Sequence, residues 1–176
     1  MEEENKILEF GIKRENEERR DGGFAIIFDP ELQKYAVLKH RDEDFLRFPG
    51  GGVDEGEDLE VGTLREVIEE SGLHDFLYVE NMGAVMTHYY NNLKNVNRIA
   101  KASCFLVILK SKSLVPTKLE EHEKFDLTWS TDSEILTNWQ KTRDTENQPN
   151  HWIYFLEKAV KRVKELGYEN QNILKN

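Results

Sequence analysis

Arg65, Glu66, Glu69 and Glu70 are the residues of this chain whose types and spacing could do chemistry. Asp58 predicts a helix N-cap, because its carboxylate can accept from the free N–H groups of a first turn. Gly72 predicts the left-handed stop at the other end. At about 100° per residue, a helix between them puts Leu64, Val67 and Ile68 on one face and Glu66, Glu69 and Glu70 on the opposite one. Like charges three and four residues apart repel by a few tenths of a kcal/mol per pair in water, and by more as water is excluded. Such a face is therefore either solvated or neutralised by a cation. Taken alone, the glutamate pattern is as often a solubilising surface. All-oxygen donors would suit a hard divalent ion, Mg2+ first and Mn2+ or Ca2+ next. Arg65 can hold a neighbouring carboxylate through two parallel hydrogen bonds. Just upstream, Pro49-Gly50-Gly51-Gly52 reads as a loop that turns sharply, approaches a ligand closely and offers free carbonyls.

The stretch 51–73, GGVDEGEDLEVGTLREVIEESGL, resembles the Nudix box, and Gly51, Glu57, Arg65, Glu66, Val67, Glu69, Glu70, Gly72 and Leu73 fill its defining positions without a departure. The resemblance implies an α/β fold, an α/β/α sandwich with a central mixed β-sheet. It also implies divalent-metal-dependent hydrolysis of a nucleoside diphosphate linked to another moiety, with Mg2+ as cofactor and Mn2+ as the alternative. Carried over by position, Glu66 and Glu70 are inner metal ligands and Glu69 is a ligand or proton acceptor. Glu57 adds a further ligand, Arg65 orients the carboxylates, and Gly50 or Gly51 supplies a backbone carbonyl. The general base stays open between the helix and a glutamate on a later loop. Relatives often carry that loop acid about six residues before a Trp at the start of a strand, or just before a histidine. Glu123 has the first relation to Trp129 and Glu121 the second to His122, so both stand as candidates. By itself the run Glu120-Glu121-His122-Glu123 reads as a solvated loop. Gly62 occupies a helix position where the family usually has a small residue such as Ala. It should cost about 1 kcal/mol of helix propensity without touching the chemistry.

Residues outside the box must choose the substrate. Within the family a tyrosine some 16 to 18 residues past the box marks dinucleoside polyphosphate hydrolases, and a nearby proline marks ADP-ribose hydrolases. Tyr89 and Tyr90 fall 16 and 17 residues beyond Leu73, and that interval has no proline. The plainer reading of either tyrosine is strand packing. Arg98 and Arg47 are candidate phosphate contacts. Trp129, Trp139 and Trp152 are assigned to packing, since each sits in an apolar or amphipathic setting. Two other readings remain. One is a pyrophosphohydrolase of nucleoside triphosphates, and the other a nucleotide-sensing domain without turnover, against which the complete set of box glutamates weighs.

The positioning elements follow from pattern. Residues 7–12 alternate weakly and suit an edge strand in a charged N-terminal segment spanning 1–20. Runs at 23–28 and 35–38 are strand-like and joined by Asp29-Pro30-Glu31. Residues 77–86, 102–109 and 125–129 complete the strands. Asp132 or Ser133 could cap a short helix, and an amphipathic helix is expected within 150–168. With 176 residues and 38% hydrophobic content, one domain with its own core is expected over the whole chain. No apolar run has the length of a membrane span, and MEEENK is too charged for a signal peptide, so no membrane partner is expected. Cys104 is the only cysteine, lies in an apolar run and reads as a buried thiol, which fits a reducing cytoplasm. The net charge of −10 argues against a nucleic-acid surface, and it requires metal and local Arg or Lys to offset repulsion of a phosphate substrate. The expected partner is a nucleotide or nucleoside diphosphate derivative. A homodimer is compatible with the sequence.

Overall fold

The structure, a computed structural model, describes residues 6–141 and 150–169. The first five residues of the charged N-terminal segment lie outside them. The chain runs through β1 (Glu9–Gly11), β2 (Glu18–Arg19), β3 (Gly22–Asp29), β4 (Lys34–His40), β5 (Leu46–Arg47), β6 (Gly50–Gly52), α1 (Leu59–Ser71), β7 (Phe76–Asn91), β8 (Val96–Leu109), β9 (Phe125–Ser130), α2 (Asp132–Gln140) and α3 (Asn150–Glu165).

The period-two alternation of the strands decides the layering. In β3, Phe24, Ile26 and Phe28 enter one apolar cluster while Ala25 and Ile27 enter another. β4 divides in the same way, with Tyr35 and Val37 against Ala36, and β8 with Cys104, Leu106 and Ile108 against Val107 and Leu109. Strands buried on both faces need helices on both sides. Val67 and Leu64 of α1 close the smaller cluster. On the other face Ile135 and Trp139 of α2 join Phe155, Leu156, Ala159 and Val163 of α3. The result is the three-layer α/β/α arrangement. Cys104 is fully buried, and that burial pushes its thiol well above the usual range.

The sheet is mixed, in the order β1-β7-β8-β3-β4-β5, with β2 beside β8, β6 beside β3 and β9 beside β4. Strands β1, β2 and β3 run parallel to their partners β7, β8 and β8, and the remaining pairs are antiparallel. The expected strand at 77–86 is longer, because β7 and β8 form one hairpin extending past Tyr89 and Tyr90. Gly50–Gly52, expected as a loop, pairs with Gly22–Phe24 as a short strand. This pairing pins the glycine segment to the most buried strand of the sheet.

The helix caps show one agreement and one correction. In α1 the Asp58 carboxylate accepts from the Val61 amide, and Gly72 closes the helix at φ 77°. For α2 the cap is Thr131, not Asp132 or Ser133. Its hydroxyl accepts from the Glu134 amide, and the Glu134 carboxylate accepts from the Thr131 amide in return. Asp132 is thereby the first helical residue. Among the described residues no helix is long and apolar enough to cross a membrane.

Candidate active site

The helix α1 does not present all three glutamates to solvent, one of the two readings that their spacing left open. Its buried arc runs through Thr63, Val67 and Glu70, so the apolar and acidic arcs overlap at Glu70. The Glu70 side chain is only 4% exposed. One of its oxygens accepts from the Gly50 amide at 2.8 Å, and the other lies 3.6 Å from the Arg47 guanidinium. Burial raises its pKa to about 8, opposed by Arg47 and reinforced by a hydrogen bond with Glu123. Glu70 and Glu123 are thus two carboxyl groups in hydrogen-bond contact.

Glu66 and Glu69 are half-buried and share Arg65, whose Nη1 donates to Glu66 at 2.8 Å and to Glu69 at 3.3 Å. The other edge of the guanidinium donates to both oxygens of Glu57, from Nε at 2.9 Å and from Nη2 at 3.1 Å. The Asp54 amide adds a third bond to Glu57 at 3.0 Å. Hydrogen bonding to Arg65 holds Glu57 down at about 2 and raises Arg65 further. Glu66 is raised instead, because burial outweighs the pull of Arg65. In this arrangement Glu57 anchors Arg65, and both its oxygens are engaged there.

Two glycines make this packing sterically feasible. A Cβ on Gly51 would stand 2.7 Å from the Glu66 carboxylate, so β6 lies directly against the acidic helix. The Gly51 carbonyl lies over Gly22 of β3, where a Cβ would stand 2.5 Å from it. A Cβ on Gly62 would meet the Glu57 carboxylate at 2.7 Å and Val53 at 3.1 Å. Gly62 is therefore part of the site after all, because its missing side chain makes room for the Glu57 anchor.

The later loop is tied to α1 by backbone bonds, from the Val115 amide to the Gly72 carbonyl at 2.9 Å and from the Lys118 amide to the Glu69 carbonyl at 2.8 Å. This carries Glu123 to Glu70 just before β9 begins. Glu121 is exposed on the same loop and is not brought to the glutamates of α1. The exposed group Glu120, His122 and the half-buried Glu123 places one potential ligand atom from each within 4.8 Å. Exposed acidic groups of this kind are ordinary on a chain with so many carboxylates.

Beside β6 opens a cleft of about 730 Å³. Its lining includes Arg47, Gly50, Gly51, Gly52, Tyr89 and Tyr90. Arg98 does not line it. Its side chain is 11% exposed and donates to Glu18 at 2.9 Å, so in this structure it joins β8 to β2. The cleft also contains residues the sequence did not single out: Arg20, whose guanidinium packs on Gly52, and Phe45 and His151. Trp152, assigned to packing, packs against the core and also lines the cleft. Nothing in the local sequence around residues 20, 45 and 151 marks them, because only the fold brings these distant segments together.

The donor set fits a hard divalent cation. Glu66, Glu69, Glu70 and Glu123 offer only oxygens, and the contact between the buried Glu70 and the half-buried Glu123 is a site where added positive charge would relieve repulsion. A cation there would polarise phosphate oxygens and stabilise developing negative charge. It would be held by the α1 carboxylates beside the glycine floor of the cleft.

Comparisons with known proteins bear on the family and the fold. An RNA pyrophosphohydrolase of Caulobacter vibrioides is 43% identical over 51 residues, covering 28% of this chain and 30% of that protein. A putative 8-oxo-dGTP diphosphatase of Bacillus subtilis is 39% identical over 51 residues, covering 29% and 34%. The match thus spans about a third of the length of these curated relatives. Among solved structures, the NUDIX domain of Shewanella oneidensis NrtR, complexed with ADP ribose, superposes with a TM-score of 0.59 at 17% identity, over 84% of this chain and 90% of that one. A NUDIX hydrolase from Nitrosomonas europaea does so with a TM-score of 0.53 at 20% identity, over 90% and 97%. The family model for the NUDIX domain matches residues 18–154, and the chain belongs to the NUDIX family.

Proposed function

We propose that this protein is a divalent-metal-dependent pyrophosphohydrolase acting on a nucleoside diphosphate linked to another moiety. The observation that carries the reading is the junction of α1 and β6. There the Arg65-bound glutamates and the Glu70–Glu123 pair press against the glycine floor of a cleft that also holds Arg47. A phosphate on that floor would meet guanidinium charge on one side and the acidic, metal-suited face on the other. Glu66, Glu69 and Glu70 would hold Mg2+, or Mn2+ in its place. Arg65 and Glu57 fix the carboxylates in register. Glu123, hydrogen-bonded to Glu70, is better placed than Glu121 to accept a proton from the attacking water.

Tyr89 and Tyr90 in the same cleft favour a dinucleoside polyphosphate as the finer assignment. The relative named a diphosphatase of 8-oxo-dGTP keeps nucleoside triphosphates as a second reading. A panel with Mg2+ separates them: diadenosine polyphosphates, nucleoside triphosphates, ADP-ribose, NADH, nucleotide sugars and a 5′-triphosphorylated oligoribonucleotide. Hydrolysis at a pyrophosphate bond is expected, with Glu70→Gln lowering kcat by about a hundredfold or more. No cleavage of any member, or an equally active variant, sinks the hydrolase reading. A folded protein that binds these nucleotides without turnover would support the sensing alternative.

A further inference from the structure

Arg47 and the glycines of β6, with the α1 glutamates pressed against them, form one part of the cleft lining, and another part is aromatic. Phe45 and Trp152 lie 29° from parallel with centroids 6.1 Å apart. Trp152 meets His151 at 5.4 Å and the buried Trp139 at 5.7 Å. His151 in turn stands edge-on to Phe24 at 5.8 Å and 85°. Core packing explains Trp139, which is buried and donates from Nε1 to the Leu46 carbonyl at 2.7 Å. It does not explain why Phe45, His151 and Trp152, in front of it, all stay partly exposed and line the cleft. Loss of water around the half-buried His151 lowers its pKa to about 4, so the neutral ring offers one donor and one acceptor.

The cleft thus joins an aromatic wall, the Arg47 guanidinium and a glycine floor, and the acidic helix presses against that floor. Arg47 follows Phe45 by two residues, rests 4.6 Å over the Phe125 ring and reaches toward Glu70. That combination suits a nucleotide, with flat rings for a base and guanidinium charge and a metal-suited face for its phosphates. We propose that Phe45, His151 and Trp152 form a nucleobase subsite, with Trp152 as the stacking platform and His151 reading the edge of the base. This rests on the reading that the substrate is a nucleoside diphosphate derivative. A base is preferred over another apolar occupant because the wall is built of flat rings and continues directly into the phosphate-facing charge.

Trp152 fluorescence tests it directly. The probes are the α,β-methylene diphosphates of adenosine and guanosine, with inorganic pyrophosphate as the baseless comparison. At least one nucleotide probe should quench emission, pyrophosphate should not, and the quench should vanish in Trp152→Phe, which keeps a stacking ring. Trp152→Ala should weaken nucleotide binding roughly tenfold or more. It should also lower the ratio of kcat/KM for a cleaved nucleotide to kcat/KM for 5-phosphoribosyl 1-diphosphate by a similar factor. Equal losses for both substrates would show a merely structural Trp and overturn the subsite, as would unchanged binding of both nucleotide probes. If the wild-type protein cleaves no diphosphate, the hydrolase reading fails while the quench and the binding constants still decide the subsite.

Discussion

Arg65 is the residue on which the acidic site depends. One guanidinium donates hydrogen bonds to three carboxylates, two of them on its own helix and one on the preceding loop. The planar fork makes this feasible, since Nε and Nη2 engage Glu57 side by side while Nη1 is left for Glu66 and Glu69. A lysine ammonium keeps the charge and loses the fork. Arg65→Lys is therefore expected to lower kcat or Mg2+ affinity roughly ten- to hundredfold, as losses of orienting partners around metal ligands do. Activity titrated against Mg2+ checks it, and kinetics matching the wild type would show that charge alone suffices. Glu57, Arg65, Glu66, Glu69 and Glu70 were legible from sequence because local spacing on one helix and its entry loop gathers them. The burial of Glu70 was not, because helical periodicity gives angles around an axis and does not say which angle meets the sheet.

At the scale of elements, α1 carries the site only because β6 lies against it. Three consecutive glycines gave no strand pattern, so the pairing of Gly50–Gly52 with Gly22–Phe24 could not be seen in advance. The same limit hid the reach of the β7–β8 hairpin, whose polar outer half lacks the apolar run that marks a buried strand. The inner strands and the caps of α1 were legible because their signals are local. Gly62 shows how an element-level cost can serve a site. Gly62→Ala gains about 1 kcal/mol in helix propensity and forces the Glu57 carboxylate and Val53 to give way. The expected outcome is an unchanged or slightly raised Tm together with a lower kcat, because the Arg65 anchor shifts. Calorimetry and steady-state kinetics on the same preparation separate the two effects. A raised Tm with undiminished kcat would mean that Glu57 relocates freely.

For the whole molecule, the buried Glu70 and the half-buried His151 imidazole set opposing pH dependences. His151 is lowered to about 4 from an ordinary value of 6.5, so the unfolded chain takes up its proton first and stability is lost as pH falls through that window. Glu70 is raised to about 8 from an ordinary value of 4.5, so the metal-free fold keeps a proton the unfolded chain releases. Its contribution is fully present below pH 4.5 and is lost as pH rises toward 8. Between the two ordinary values the slopes cancel, each roughly 1.4 kcal/mol per pH unit. Above pH 6.5 only the Glu70 slope remains, amounting to about 2 kcal/mol by pH 8. A divalent cation binds the ionised carboxylates, so saturating Mg2+ should remove the alkaline decline and stabilise the fold more at pH 8 than at pH 6. Melting curves across this range, with chelator and with Mg2+, read the difference. Glu70→Gln titrates at neither value, so the chelated variant should lose the decline above pH 6.5 and keep the acid limb set by His151. An Mg2+ increment that is independent of pH, or a decline that survives in Glu70→Gln, would place both the proton and the cation elsewhere.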